Sequence, residues 1–417
     1  MLAAAFSLAL LAAVPASAAG EPTQRTWHGN QIRMYGAQGA GHSGSGVIVA
    51  VLDGWVDRSH PDFEGRVLAG ADCRSGTCHA GLTKENCGSE HGTHVAGTVG
   101  ASNVGVAPKA TILPVQVLSS DSKGECTGTP AAVAAGINYA ISKGAKVLNL
   151  SLGPDNPGST NPVIPNAVHA AAAAGAVVVF SAGNADVPVS QSYGSDALVV
   201  AATGPSGQLA SYSQYGSGVN LAAPGGQPDS HDDCEIADCV LSLYPGNQLA
   251  VAAGTSMAAP HVSGLAALLF AQAPGRSRST VIARIENTAH ALSGAGYGLI
   301  DVRAALGVTG TTTPTPTHKP TTKPTHKPTT KPTPVKSVAP TPSKTVAPTP
   351  SATDSPTPAP LDSATAEPSQ APTVVSEPSA VKSSDDVPLP LSLTAGALVL
   401  VAGAAVGSVA SSRGTRS

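Results

Sequence analysis

Residues 47–66 read VIVAVLDGWVDRSHPDFEGR. Six apolar residues run without a break and stop on a carboxylate, Asp53. A continuous apolar run, rather than strict alternation, suits a strand buried on both faces, as in parallel sheets. The C-terminal edge of such a sheet is where ligand-binding groups gather. Four further runs share this character: Thr111–Leu118, Lys146–Ser151, Ala176–Ser181 and Ala197–Ala202. Helical patterns at Pro130–Lys143 and Val163–Ala174 lie between them, each ending near a glycine. The alternation predicts an α/β fold of three layers, a mostly parallel central sheet flanked by helices with right-handed crossovers.

Outward from this region the composition changes twice. Residues 20–309 are expected to form a single domain with a sizeable core. Residues 310–387 are Pro-, Thr- and Ser-rich and include the near-exact repeat THKPTTKPTHKPTTKP. Such a segment cannot bury a core and reads as a disordered, semi-rigid spacer with a reach of roughly 200 Å. Residues 388–411 contain Leu391–Ala410, which carries no charge and is long enough for a transmembrane helix. Arg413 and Arg416 follow, which places the short tail 412–417 in the cytoplasm. At the other end, residues 1–19 are uncharged and finish in small residues, as a signal peptide does, although no basic residue precedes the apolar stretch. The expected location is therefore the cell membrane, single-pass, with the large domain outside. A net charge of −3 with 12% charged residues argues against a nucleic-acid partner.

Six cysteines (73, 78, 87, 126, 234 and 239) lie within the large domain. Behind an export signal they favour disulfides. Cys73/Cys78 and Cys234/Cys239 could close small loops, leaving Cys87 with Cys126, although sequence alone permits 15 pairings. The rival reading is a zinc site using His79 and His231, at looser spacing than most zinc ligands show.

Three stretches carry chemistry. Gly254-Thr255-Ser256-Met257-Ala258-Ala259-Pro260-His261 opens an apolar helical pattern, which puts a serine hydroxyl at a helix N-terminus. Backbone N–H groups there lack partners and favour developing negative charge. Pro260 is expected in the first turn, where a missing N–H matters least. The plain alternative is an N-capping serine. His91-Gly92-Thr93-His94 opens a small-residue helix; two histidines three apart could ligate a metal, but no HExxH pattern supports it. Asp53 ends the first strand, with Asp57 and Asp62 as alternative carboxylates.

Taken together, VIVAVLDGWVDRSHPDFEGR, HGTHVAGTV, VLNLSLG, VVVFSAGN and GTSMAAPHVSGLAALL resemble the subtilase family of serine peptidases, in that order and over roughly residues 44–305. The chain order Asp, His, Ser is the one subtilisins use. The resemblance implies a subtilisin-like fold and catalytic Asp53, His91 and Ser256, with Ser256 as nucleophile, His91 as general base and Asp53 orienting the imidazole. It implies Asn184 as oxyanion donor, Ser151, Leu152 and Gly153 as the substrate-pairing edge, and Ala182 and Gly183 in the primary pocket. The partners would be protein or peptide substrates. No cofactor is required and no metal residue is assigned. Structural calcium stays open, but the segment 99–106 is shorter than the loop that wraps a tight calcium ion in subtilisin, although Asp62 matches one ligand.

Two departures bear on function. Gly54 and Trp55 replace the family's hydroxyl residue and glycine after the aspartate. Asp53 lies only 34 positions after Ala19, too few for a separate folded prodomain. The short extension, cysteines, spacer and membrane helix resemble the mycosins, which makes type VII secretion machinery a candidate partner. The expected function is an extracellular serine endopeptidase acting on extended protein segments through an acyl-enzyme. The alternative is a subtilisin-fold binding or scaffold module of a secretion complex with weak or no catalysis.

Overall fold

A computed structural model describes residues 26–84, 89–120, 126–152, 162–189, 193–229 and 233–309, together with the backbone of Leu2–Ala3 and Ala12–Pro15. The spacer, the expected membrane helix and the tail lie outside the described residues. So does the expected signal peptide, apart from those two backbone stretches.

The five apolar runs all become strands: β1 (Ile48–Asp53), β2 (Thr111–Gln116), β3 (Val147–Leu150), β4 (Val177–Ser181) and β5 (Ala197–Thr203), joined by β6 (Leu221–Pro224). Their spatial order in a nine-stranded sheet is β6-β5-β4-β3-β1-β2. Gly298–Leu299 borders β6 in parallel, and Ala71–Asp72 and His79–Ala80 complete the other edge with the sheet's antiparallel pair. The boundaries differ from the sequence reading by one or two residues. Asp53, expected at the C-terminal end of its strand, is its last residue and pairs in register with Gln116.

Why the runs are continuously apolar is visible in the two cores. Val49 and Val51 of β1 pack into one core, Ala50 and Leu52 into the other. The same alternation divides Val177 and Val179 from Val178 and Phe180 on β4. Each face of the sheet is covered by helices, so successive side chains on opposite faces both need to be apolar. Helices α1 (Ser89–Gly100) and α4 (Thr255–Gln272) cover the first face. Helices α2 (Pro130–Ser142) and α3 (Val163–Ala173) cover the second. Both of the latter close on glycines at positive φ, Gly144 and Gly175, as left-handed C-terminal turns require.

Helix α4 is unusual in being buried all round: every residue from Thr255 to Phe270 is inside. A helix apolar on all sides belongs in the middle of a core. Burying a Leu or Val side chain contributes roughly 1.5–3 kcal/mol, so α4 is a principal source of the fold's stability. Pro260 falls at its sixth position, in the second turn rather than the first as expected.

A hairpin unrecognised in the sequence, β7 (Val240–Tyr244) with β8 (Gln248–Ala252), packs beside α1. The backbone of Ala12–Pro15 runs antiparallel along β8; an edge strand's unpaired backbone groups give an apolar extended segment something to bond. Cys73–Cys78 and Cys234–Cys239 are disulfides, which removes the zinc reading. Cys126 is also disulfide-bonded, while its expected partner Cys87 lies outside the described residues.

Candidate active site

Strand β1 delivers Asp53 to the C-terminal edge of the sheet, beside the point where the strand order reverses between β3 and β2. The carboxylate is completely buried, and three contacts make that tolerable. The Nδ1 of His91, third residue of α1, donates to Asp53 at 2.9 and 3.0 Å from its two oxygens. The Gly54 backbone N–H donates to Oδ1 at 2.7 Å. Because a carboxylate only accepts, Nδ1 carries the imidazole proton and Nε2 is left to take one. The two alternative carboxylates are engaged elsewhere. Asp57 accepts from Ser59 and from the Gly246 amide, and Asp62 accepts from the Asn103 side chain.

Gly92 explains the glycine of the HGTH block. A Cβ there would lie 2.7 Å from the Trp55 carbonyl oxygen and 3.3 Å from the Asp53 carboxylate. The start of α1 can therefore close on the end of β1 only without a side chain. Trp55 is half-buried, and the Lys84 ammonium stands over its ring at 5.2 Å from the centroid.

Ser256 is the second residue of α4, where intrahelical carbonyl partners do not yet exist for the backbone N–H groups. His91 meets the last residue of β1 and Ser256 meets the residue after the parallel neighbour β3, so the starts of both helices lie at the same sheet edge. The Ser256 hydroxyl is buried and donates to the Ser151 carbonyl at 3.3 Å.

Asn184 lies in the turn after β4. Its Oδ1 accepts from the Thr255 backbone N–H (2.9 Å) and hydroxyl (2.8 Å). With the oxygen held this way, Nδ2 is turned toward Gly254: a Cβ built there would lie 3.4 Å from it. The amide thus turns a donor toward the backbone that leads into Ser256. Thr255, which the sequence reading did not single out, also binds the Gly183 N–H through its hydroxyl at 3.0 Å. Gly183 has φ 106° and faces the Gln214 side chain, so any other residue there would be strained. Ala182 is buried beside it. Ser151 and Leu152 follow β3 and are buried, while Gly153 lies outside the described residues.

The second histidine of HGTH does not share the site's chemistry. His94 Nε2 bonds the Val240 carbonyl at 3.0 Å. Burial pushes its imidazole down to about 3, and the buried His261 down to about 4. His261 Nε2 stands 3.0 Å from Nδ1 of His28, which arrives on the short helix Trp27–Gln31. His28 is held well below its usual value, first by burial and then by His261 and His94. Among the described residues no group of three or more His, Cys, Asp or Glu could hold a metal ion.

The family model of the subtilases (Peptidase_S8) matches residues 44–317. Thermitase of Thermoactinomyces vulgaris is 43% identical over 262 residues, covering 61% of this chain and 84% of the relative. Subtilisin BL of Lederbergia lenta is 37% identical over 290 residues, covering 67% and 97% respectively. Among solved structures, a protease of Pseudoalteromonas arctica PAMC 21717 superposes with a TM-score of 0.58 at 30% identity, over 68% of this chain and 96% of that one.

Proposed function

Because this chain belongs to the subtilase family and is a serine-type endopeptidase, we propose that it cleaves extended protein segments through Asp53, His91 and Ser256. The observation that carries the reading is the buried Asp53–His91 pair, which fixes the tautomer a general base needs. Ser256 would swing from the Ser151 carbonyl to His91 Nε2, lose its proton and attack the scissile carbonyl. His91 would then protonate the leaving amine, and water would release the acyl group from Ser256. Asn184 Nδ2 and the N-terminus of α4 would stabilise the tetrahedral oxyanion. Ser151, Leu152 and Gly153 would pair with the substrate backbone, and Ala182 and Gly183 would line the primary pocket.

The scaffold alternative rests on the Gly54-Trp55 departure; the catalytic reading is preferred because the Asp53–His91 pair is formed beside that departure.

The domain of residues 20–309 would act outside the cell, exported by the signal peptide and held to the membrane by residues 388–411 through the spacer. Type VII secretion machinery remains the candidate partner on architecture alone. Incubating the purified protein with a reduced, unfolded substrate tests the activity. New internal N-termini are expected with wild type and none with His91→Ala; equal cleavage by both would reject the assignment.

A further inference from the structure

One cluster of buried polar groups takes no part in the mechanism above. Asn149 stands within the apolar strand β3, and Ser263 stands within the largely apolar, fully buried helix α4. Both are completely buried. Apolar residues would pack there without the desolvation cost of an amide and a hydroxyl.

The hydrogen bonds run in one direction. Ser263 Oγ donates to Asn149 Oδ1 at 2.8 Å, and Asn149 Nδ2 donates to Ser151 Oγ at 3.0 Å. Ser151 Oγ donates in turn to the Ser256 carbonyl at 2.7 Å, and Ser256 Oγ donates back to the Ser151 carbonyl. Ser263 is seven positions after Ser256, so the two lie about two turns apart on one helix face. Strand alternation puts Asn149 and Ser151 on one face of β3. The chain of bonds therefore leaves α4, crosses to β3 and returns to α4 at the reactive serine.

Pro260 explains why the ring can close. In an ordinary helix the Ser256 carbonyl accepts the N–H of residue 260, which proline lacks. Ser151 Oγ supplies the missing donor. The amide of Asn149, by occupying a lone pair of Ser151 Oγ, aims that hydroxyl's proton at the Ser256 carbonyl.

We propose that Asn149 and Ser263 are positioning residues that lock the start of α4 to the substrate-pairing segment, so that nucleophile and bound peptide share one frame. This rests on the reading of Ser256 as nucleophile. A displacement of the order of 1 Å at a reacting atom can cost about 10²-fold in rate.

The test uses the full-length chain and three variants. Ser263→Ala is expected to lower kcat about tenfold with KM within about twofold, and to slow fluorophosphonate labelling in parallel while leaving its final extent complete. Ser263→Thr, which keeps the hydroxyl, is expected to restore kcat. Asn149→Leu combined with Ser263→Ala removes both partners, so its Tm should return toward wild type while kcat stays low. A double variant with wild-type Tm and wild-type kcat would overturn the proposal, leaving the pair as packing alone. Ser263→Ala with unchanged kcat would do the same. Wild type that never reacts with the probe would instead overturn the assignment of Ser256 itself.

Discussion

The buried Asp53 carboxyl is met by His91 and by the Gly54 amide, and Gly92 is what lets His91 come so close. Gly92→Ala is therefore expected to push the start of α1 off β1 and lower kcat/KM by about 10²-fold, which steady-state kinetics on a peptide substrate would measure. Asn184→Leu should lower kcat by about 10²–10³-fold, with KM little changed, because it removes a donor needed only in the transition state. At this scale the candidate residues Asp53, His91 and Ser256 could be picked out because each sits in a long, distinctive block. The residues that hold them were less legible. Thr255 binds Asn184 and Gly183 from across the site, and nothing in the local pattern GTS distinguishes a clamp from an ordinary helix start. Trp55 looked like a departure that endangered the aspartate. The backbone N–H of Gly54 bonds that carboxylate at 2.7 Å, a contact that does not depend on the missing hydroxyl.

Among the elements, α4 joins the core to the proposed nucleophile. Its side chains face both sheet and helices, so truncating one leaves a cavity that cannot collapse. Leu268, fully buried in α4, should cost about 2–5 kcal/mol as Leu268→Ala, read from the urea midpoint at constant slope. The strands and helices of the doubly covered sheet were readable because burial on both faces leaves uninterrupted apolar runs. The β7–β8 hairpin was missed although Pro245-Gly246-Asn247 sits between two strand-like runs. Its turn is made by Gly246 and Asn247 at φ 81° and 60°, a signal the sequence does contain. Pro260 was placed one turn too early because its tolerance was attributed to helix position. The actual reason is a hydroxyl from a neighbouring strand that replaces the bond it breaks.

Over the whole molecule, three histidines from three elements, His28, His94 and His261, stay neutral inside the fold. Above pH ~6.5 they are neutral in folded and unfolded chains alike and do not affect stability. Below it the unfolded chain takes up protons that the folded chain refuses, so stability falls as pH drops toward the folded values of about 4 and about 3. Denaturant titrations between pH 7 and 4 should show this decline. His28→Gln, which removes one of the groups, should reduce the slope near pH 5 by about 1.4 kcal/mol per unit. The disulfides act at the same scale. Each five-residue link constrains the unfolded chain by roughly 2 kcal/mol, so Cys234→Ser with Cys239→Ser should lower Tm by several degrees. The account stands most directly on whether Ser256 is an activated nucleophile. Treating the purified full-length chain with a fluorophosphonate and mapping the adduct by mass spectrometry decides it. The predicted result is a single adduct on Ser256, absent in Ser256→Ala and slowed about 10⁴-fold in Asp53→Asn. Equal labelling of wild type and Ser256→Ala, or none of wild type, would contradict it.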